Sequence, residues 1–219
     1  MSGDDPGGPV YGSIVAHYEA CLARHGPTHR GADWPNPEDL RVRFEVMLGV
    51  VQFGKPLPCI LDLGCGPGLL LDHLQATGRL AEVEYSGIDM SPAMIEAARR
   101  RWPDRDLSVR DVLRDPLPAD SFDYVLMNGV LTEKVNLSQE AMVDYAQQLI
   151  AAALRLARRG IAFNVMSRHV DYERADLFHW PFDEVAAFLT KSGNRHYAFR
   201  ADYGLYEFTT YVFRSPNRF

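Results

Sequence analysis

Residues 60–70 read I-L-D-L-G-C-G-P-G-L-L. Gly64, Gly66 and Gly68 stand at alternate positions directly after an apolar run. An apolar run that ends in glycine and leads into a leucine-rich segment predicts a strand, a tight turn and a helix. The turn is one in which the backbone can approach a ligand closely.

The rest of the chain repeats that alternation. Before it lie two helical stretches, roughly 13–24 and 37–53, separated by the Gly- and Pro-rich H-G-P-T-H-R-G-A-D-W-P-N-P. From Cys59 onward, strands are expected at C-I-L-D-L-G, E-Y-S-G-I-D-M, L-S-V-R-D-V, S-F-D-Y-V-L-M-N-G-V and G-I-A-F-N-V-M-S. Helices are expected over 69–80, 92–102, 138–158 and 181–192, with Ser91 as N-cap and Pro92 at the first helical position. Arg155, Arg158 and Arg159 are read as the end of the longest helix. Two aromatic and β-branched segments around Gly204 predict a terminal hairpin. The expected fold is α/β: a mostly parallel, doubly wound sheet with an antiparallel edge. Residues 1–10 are expected to be disordered, 11–56 to form a helical cap, and 57–219 the main domain.

Composition excludes several classes. The 219 residues are 47% hydrophobic and 24% charged, with a formal net charge of −6, ordinary for one soluble α/β domain. The densest basic run, Arg99-Arg100-Arg101, complements a helix C-terminus, so no nucleic-acid footprint is evident. Cys21, Cys59 and Cys65 lack CxxC spacing, which argues against a disulfide framework or zinc. No signal peptide or span of membrane length is expected, so the cytoplasm is the default compartment. A homodimer is compatible with the sequence.

The turn is not built for phosphate. No Gly-Lys-Ser/Thr follows it, and its spacing is G-x-G-x-G rather than G-x-G-x-x-G. Pro67 also removes one of the backbone donors that a pyrophosphate would use. Asp62 lies in the first strand, Asp89 at the end of the second and Asp111 at the end of the third. Three carboxylates on one rim repel a pyrophosphate. They suit a ligand with ribose hydroxyls, an exocyclic amine and positive charge, and S-adenosylmethionine has all three.

D-L-G-C-G-P-G, G-I-D-M-S-P-A-M, R-D-V and F-D-Y-V-L-M-N-G occur in that succession over about residues 57–165. Together they resemble the class I S-adenosylmethionine-dependent methyltransferases. The resemblance implies a Rossmann-like seven-stranded sheet of order 3-2-1-4-5-7-6, in agreement with the terminal hairpin. It also implies that Gly64, Cys65, Gly66 and Gly68 lie along the methionine and ribose portion of the cofactor. By the same resemblance Asp62 holds the loop or the ammonium side, and Asp89 takes both ribose hydroxyls. Met90 packs on the adenine, Asp111 and Val112 meet its amine edge, and Asn128 sits beside the sulfonium. The N-terminal segment, with D-W and R-F, and the tail D-Y-G-L-Y-E-F-T resemble a group of small bacterial methyltransferases of polysaccharide or natural-product context.

Methyl transfer requires no obligatory catalytic signature, because the sulfonium is already activated and alignment supplies much of the rate. No Asn/Asp-Pro-Pro-Tyr/Phe or Pro-Cys follows the fourth strand, which disfavours nucleobase and glutamine methylation. No magnesium-binding set is evident, and no metal is expected. The segment 11–56 is expected to cap the site, with Tyr11, Tyr18, His25, His29, Trp34 and Arg43 as candidate lining. Asn164, His179, Trp180, Tyr203 and Tyr206 are candidates for a second wall. Asn128, His25, Tyr18 and Tyr206 are the candidate catalytic residues. The leading expectation is methyl transfer to O or N of a small polar metabolite. The alternatives are cofactor cyclisation that releases methylthioadenosine, and a non-catalytic binding module.

Overall fold

The computed structural model describes residues 11–217, so the expectation for residues 1–10 lies outside the described residues. Seven strands form one sheet: β1 (Cys59–Leu63), β2 (Glu84–Asp89), β3 (Asp106–Val109), β4 (Phe122–Met127), β5 (Ala157–Met166), β6 (His196–Arg200) and β7 (Glu207–Phe213). Their order is β3-β2-β1-β4-β5-β7-β6. The first five run parallel, and β7 pairs antiparallel with both β5 and β6. The expected topology is therefore observed.

Six α-helices accompany the sheet: α1 (Gly12–His25), α2 (Pro37–Leu48), α3 (Leu69–Ala76), α4 (Pro92–Arg101), α5 (Gln139–Leu156) and α6 (Phe182–Lys191). Successive strand residues point to opposite faces. Leu61, Val125, Ile161 and Phe163 meet α5 and α6 on one face, together with Tyr11 and Ile14. Ile60, Tyr124, Leu126 and Ala162 meet α2, α3 and α4 on the other. Both faces of the central strands are covered, which explains their continuous apolar runs. The second segment of the expected cap, α2, is thus a core layer: Leu40, Phe44, Met47 and Leu48 are buried with α3 and the sheet.

Local signals set most boundaries. The Ser91 hydroxyl accepts from the Met94 amide at 3.1 Å, with Pro92 in the first helical turn. The Ser138 hydroxyl accepts from the Ala141 amide at 3.2 Å and starts α5. Four boundaries differ from the sequence expectation, and the first is α3, which stops at Ala76 before Thr77 and Gly78 rather than at residue 80. Helix α2 stops at Leu48, before Gly49. Helix α5 stops at Leu156, and Arg158 and Arg159 belong to β5. Arg158 pairs there with Asp123 of β4 at 3.0 Å, so a cross-strand partner claims a residue that reads locally as a helix end. Strand β3 ends at Val109, leaving Asp111 in the following turn.

Candidate active site

The strands β1, β2 and β4 end at one rim, and the glycine turn lies on it. Gly64, Gly66 and Gly68 have φ of 81°, 52° and 83°, a region that side chains rarely enter. The Gly64 and Cys65 amides both donate to the Ile88 carbonyl, at 2.8 and 3.0 Å, and this ties the turn to β2. A Cβ on Gly64 would lie 2.4 Å from Val130, whereas a Cβ on Gly66 would meet nothing within 4 Å. Gly66 therefore faces open space. Gly68 starts α3 against Trp102, outside the cavity lining. The Cys65 sulfur packs near Gly87, and burial pushes its thiol up, so it is a packing residue and no thiolate.

One cavity opens on this rim, about 1050 Å³ with its mouth included. Its lining holds Asp62, Gly64, Cys65, Gly66, Asp89, Met90, Asp111, Val112 and Asn128 from the sheet side. Tyr18, Trp34 and Phe44 reach it from the N-terminal segment. Among the described residues of the lining, Arg110 is the one cation, and Asp115 already takes it at 2.5 Å. Three carboxylates, with the one lining cation already held by Asp115, make the cavity a site for positive charge.

Each carboxylate has a fixed pose. Asp89 accepts from the Gly66 amide on Oδ2 at 2.9 Å and from the Ser91 amide on Oδ1 at 2.8 Å. Each of its oxygens keeps one lone pair for a hydroxyl. Asp62 is buried and accepts from the Tyr85 hydroxyl at 2.7 Å. Burial pushes its carboxyl up to about 7, with the Asp89 charge adding and the Tyr85 bond opposing. Asp111 accepts from the Leu113 amide at 3.0 Å and from the Tyr11 hydroxyl at 2.5 Å. Tyr11 also stacks on Tyr145, with ring centroids 4.6 Å apart.

The exit of β4 is held from behind. The Gly129 amide donates to Asn164 Oδ1 at 2.8 Å, and Asn164 Nδ2 donates to Glu207 Oε1 at 2.9 Å. Glu207 Oε2 takes Arg43 Nε at 2.8 Å. The Arg43 guanidinium lies 4.1 Å from the Trp34 ring centroid, and a Cβ on Gly129 would lie 2.5 Å from Trp34. The five residues close a ring of contacts between the N-terminal segment and the β4 exit. Beside it, Tyr18 donates to the Gly129 carbonyl at 3.2 Å, and Asn128 Oδ1 is buried without a partner. Burial pushes the Tyr18 hydroxyl up, so it remains a donor.

Two candidate catalytic residues lie elsewhere. His25 is exposed at the end of α1, where chain direction turns at Gly26. Tyr206 is 53% exposed and donates to Asp171 at 3.3 Å. Among the other wall candidates, His29 Nδ1 lies 2.6 Å from the Trp34 carbonyl and shapes the turn. His179 and Trp180 are buried beside Ser167 and Phe178, and Tyr203 leans on Glu207 and Thr209. Phe44, Tyr145 and Arg101 escaped the sequence reading as site residues. Arg101 donates to the Pro67 carbonyl at 2.9 Å and pairs with Asp72, so it braces the glycine turn as well as ending α4.

Residues 60–146 match the family model described as "Methyltransferase domain". The chain is 32% identical over 157 residues to the Mycobacterium tuberculosis protein named "Putative methyltransferase Rv1506c", covering 70% of this chain and 91% of that one. It is 37% identical over 107 residues to a trans-aconitate 2-methyltransferase of Methylobacterium radiotolerans, covering 46% of this chain but only 39% of that enzyme. An S-adenosylmethionine-dependent methyltransferase of Leishmania major shares the fold at TM-score 0.64 and 17% identity, over 97% of this chain and 87% of that one. A TehB-like methyltransferase of Corynebacterium glutamicum does so at TM-score 0.60 and 16% identity, over 90% and 97%.

Proposed function

This chain belongs to the class I S-adenosylmethionine-dependent methyltransferases, and from that premise we propose that it methylates O or N of a small polar metabolite in the cavity at the β1–β2–β4 rim. The observation that carries this reading is the cavity itself. One continuous space joins the acidic rim to walls supplied by the chain's own N-terminal segment. A wall of Tyr18, Trp34 and Phe44 favours a compact acceptor over a macromolecule.

The residues fit the cofactor. Asp89 offers a free lone pair on each oxygen to the two ribose hydroxyls. Asp62 would hold the ammonium, and the open space over Gly66 would admit the methionine portion. Tyr145, Met90, Val112 and Asp111 form the adenine end, where Tyr11 now occupies one carboxylate oxygen. Asn128 Oδ1, buried and unpartnered, is an acceptor waiting for a donor at the reacting end.

The bound cofactor supplies a methyl group already activated by its sulfonium. The chain's contribution is placement. The ring from Trp34 through Arg43, Glu207 and Asn164 fixes Gly129, and with it the backbone beside Asn128. Helix α1 and the following turn exclude water by covering the cavity with Ile14, Val15, Tyr18 and Trp34. No histidine lines the cavity among the described residues, so an imidazole base takes no part in this account.

The test uses S-adenosylmethionine labelled in its methyl group, incubated with a protein-free small-molecule extract and, separately, with protein and nucleic acid. Label on oxygen or nitrogen of a low-mass product supports the reading. Label confined to protein or nucleic acid contradicts it.

A further inference from the structure

His17 and Cys21 stand one turn apart on α1, and Asp33 follows the short 3₁₀ turn at 30–32. His17 Nε2, Cys21 Sγ and an Asp33 carboxylate oxygen all lie within 4.8 Å of one another. His17 Nε2 is 2.7 Å from Asp33 Oδ2 and 3.9 Å from Cys21 Sγ. One ring nitrogen therefore faces both partners. A nucleophile relay would use the two opposite nitrogens of the ring, so this trio does not have relay geometry. It has three donor atoms converging on one point, and among the described residues it is the one such group of His, Cys and acidic side chains.

We propose that His17, Cys21 and Asp33 bind one divalent cation of the zinc class. Imidazole nitrogen, thiolate sulfur and carboxylate oxygen are the donors that zinc takes, at roughly 2.0–2.3 Å. Tetrahedral angles at those lengths set donor–donor separations of roughly 3.3–3.6 Å. The His17–Asp33 separation of 2.7 Å lies below that range, the His17–Cys21 separation of 3.9 Å lies above it, and no pair of the three donors exceeds 4.8 Å, so side-chain shifts of about an ångström would seat the ion. Binding forms metal bonds to sulfur, nitrogen and oxygen and releases the Cys21 thiol proton to solvent.

The surroundings agree. Cys21 is buried, while the His17 and Asp33 side chains are 33% and 36% exposed, which leaves a path for entry. Glu133, in the loop after β4, lies near all three residues, and burial pushes its carboxyl up to about 7. Asp33 holds a left-handed backbone at φ 60°, a conformation that aspartate tolerates better than most residues. Tyr18 and Trp34, the immediate neighbours of His17 and Asp33, both line the cavity. An ion here joins α1 to the Trp34 turn and stiffens that wall.

The experiment titrates the full chain, reduced and free of metal, with Co²⁺. The proposal expects one equivalent bound with a near-ultraviolet thiolate-to-cobalt band that Zn²⁺ abolishes. Cys21→Ser loses the band and Cys59→Ser keeps it. His17→Ala and Asp33→Asn weaken Co²⁺ binding by about tenfold or more. Asp33 sits on a partly exposed turn, so its variant serves should Cys21→Ser fail to fold. A wild type without the band, a band that survives Cys21→Ser, or unchanged affinity in both His17→Ala and Asp33→Asn overturns the proposal.

Discussion

Arg43 of α2 and Glu207 of β7, 164 positions apart, form a 2.8 Å ion pair in which the glutamate side chain is wholly buried and the arginine side chain 10% exposed. The pair does two things at once. It fastens α2 to the antiparallel edge of the sheet, and it anchors Asn164, which grips the Gly129 amide at the β4 exit.

Removing one partner leaves the other as a buried uncompensated charge. Glu207→Ala and Arg43→Ala are each expected to destabilise the fold by about 3–5 kcal/mol. The double variant is expected to cost less than the sum. Denaturant unfolding measures all three, and additive costs would show that the pair does not act as a unit.

The glycine turn separates a packing role from a ligand role. Gly64→Ala drives its methyl group into Val130 and is expected to lower thermal stability. Gly66→Ala meets nothing in the protein, so its fold should suffer only backbone strain of about 1–3 kcal/mol. Its S-adenosylmethionine affinity should fall much further than that strain explains. Calorimetric binding beside a melting curve distinguishes the two. Normal cofactor affinity in folded Gly66→Ala would remove the turn from the site.

This contrast shows what was legible in sequence. The G-x-G-x-G spacing, Pro67 and the carboxylates at strand ends are local features, and they placed the cavity's acidic rim. The strand order came with the resemblance and agrees with the hairpin. Burial partners were not legible. Arg43 and Glu207 lie 164 positions apart, and no local pattern pairs them. Arg158 and Arg159 read as a helix end because the sequence does not reveal that Asp123 waits on the neighbouring strand. His25 and Tyr206 qualify by their chemistry alone, and the chain turns both toward solvent. The convergence of His17, Cys21 and Asp33 was hidden because the third donor comes from a separate turn.

Asp62 should impose a pH dependence. Its folded carboxyl titrates near 7, above an ordinary value of 3.8, so the folded state holds this proton more tightly than the unfolded state. Stability from this group is present below about 4 and is lost as pH rises through about 7. Asp62→Asn should therefore melt higher than wild type at pH 8, without that advantage at pH 4. Pairing with the cofactor's ammonium requires the ionised form, so affinity should rise between pH 6 and 8 in wild type and stay flat in Asp62→Asn. A flat wild-type profile would contradict this assignment.

Asp89 tests the ribose contact. Asp89→Asn keeps the shape but loses the charge and turns one acceptor into a donor. Charge-assisted bonds of about 1.5–3 kcal/mol predict a cofactor affinity roughly 10–100-fold weaker. One of the Gly66 and Ser91 amide bonds is lost as well, but the fold should persist, since Ser91 still caps α4. Equal affinity in the variant would place the ribose elsewhere.

The most direct measurement is the identity of the nucleoside released. The protein is incubated with S-adenosylmethionine and a protein-free metabolite extract, and the products are resolved by mass spectrometry. S-adenosylhomocysteine is expected in equal amount to a methylated low-mass product, with both lost in parallel in Asp89→Asn at low cofactor concentration. Methylthioadenosine in its place, or S-adenosylmethionine bound but never consumed with any acceptor fraction, would contradict it.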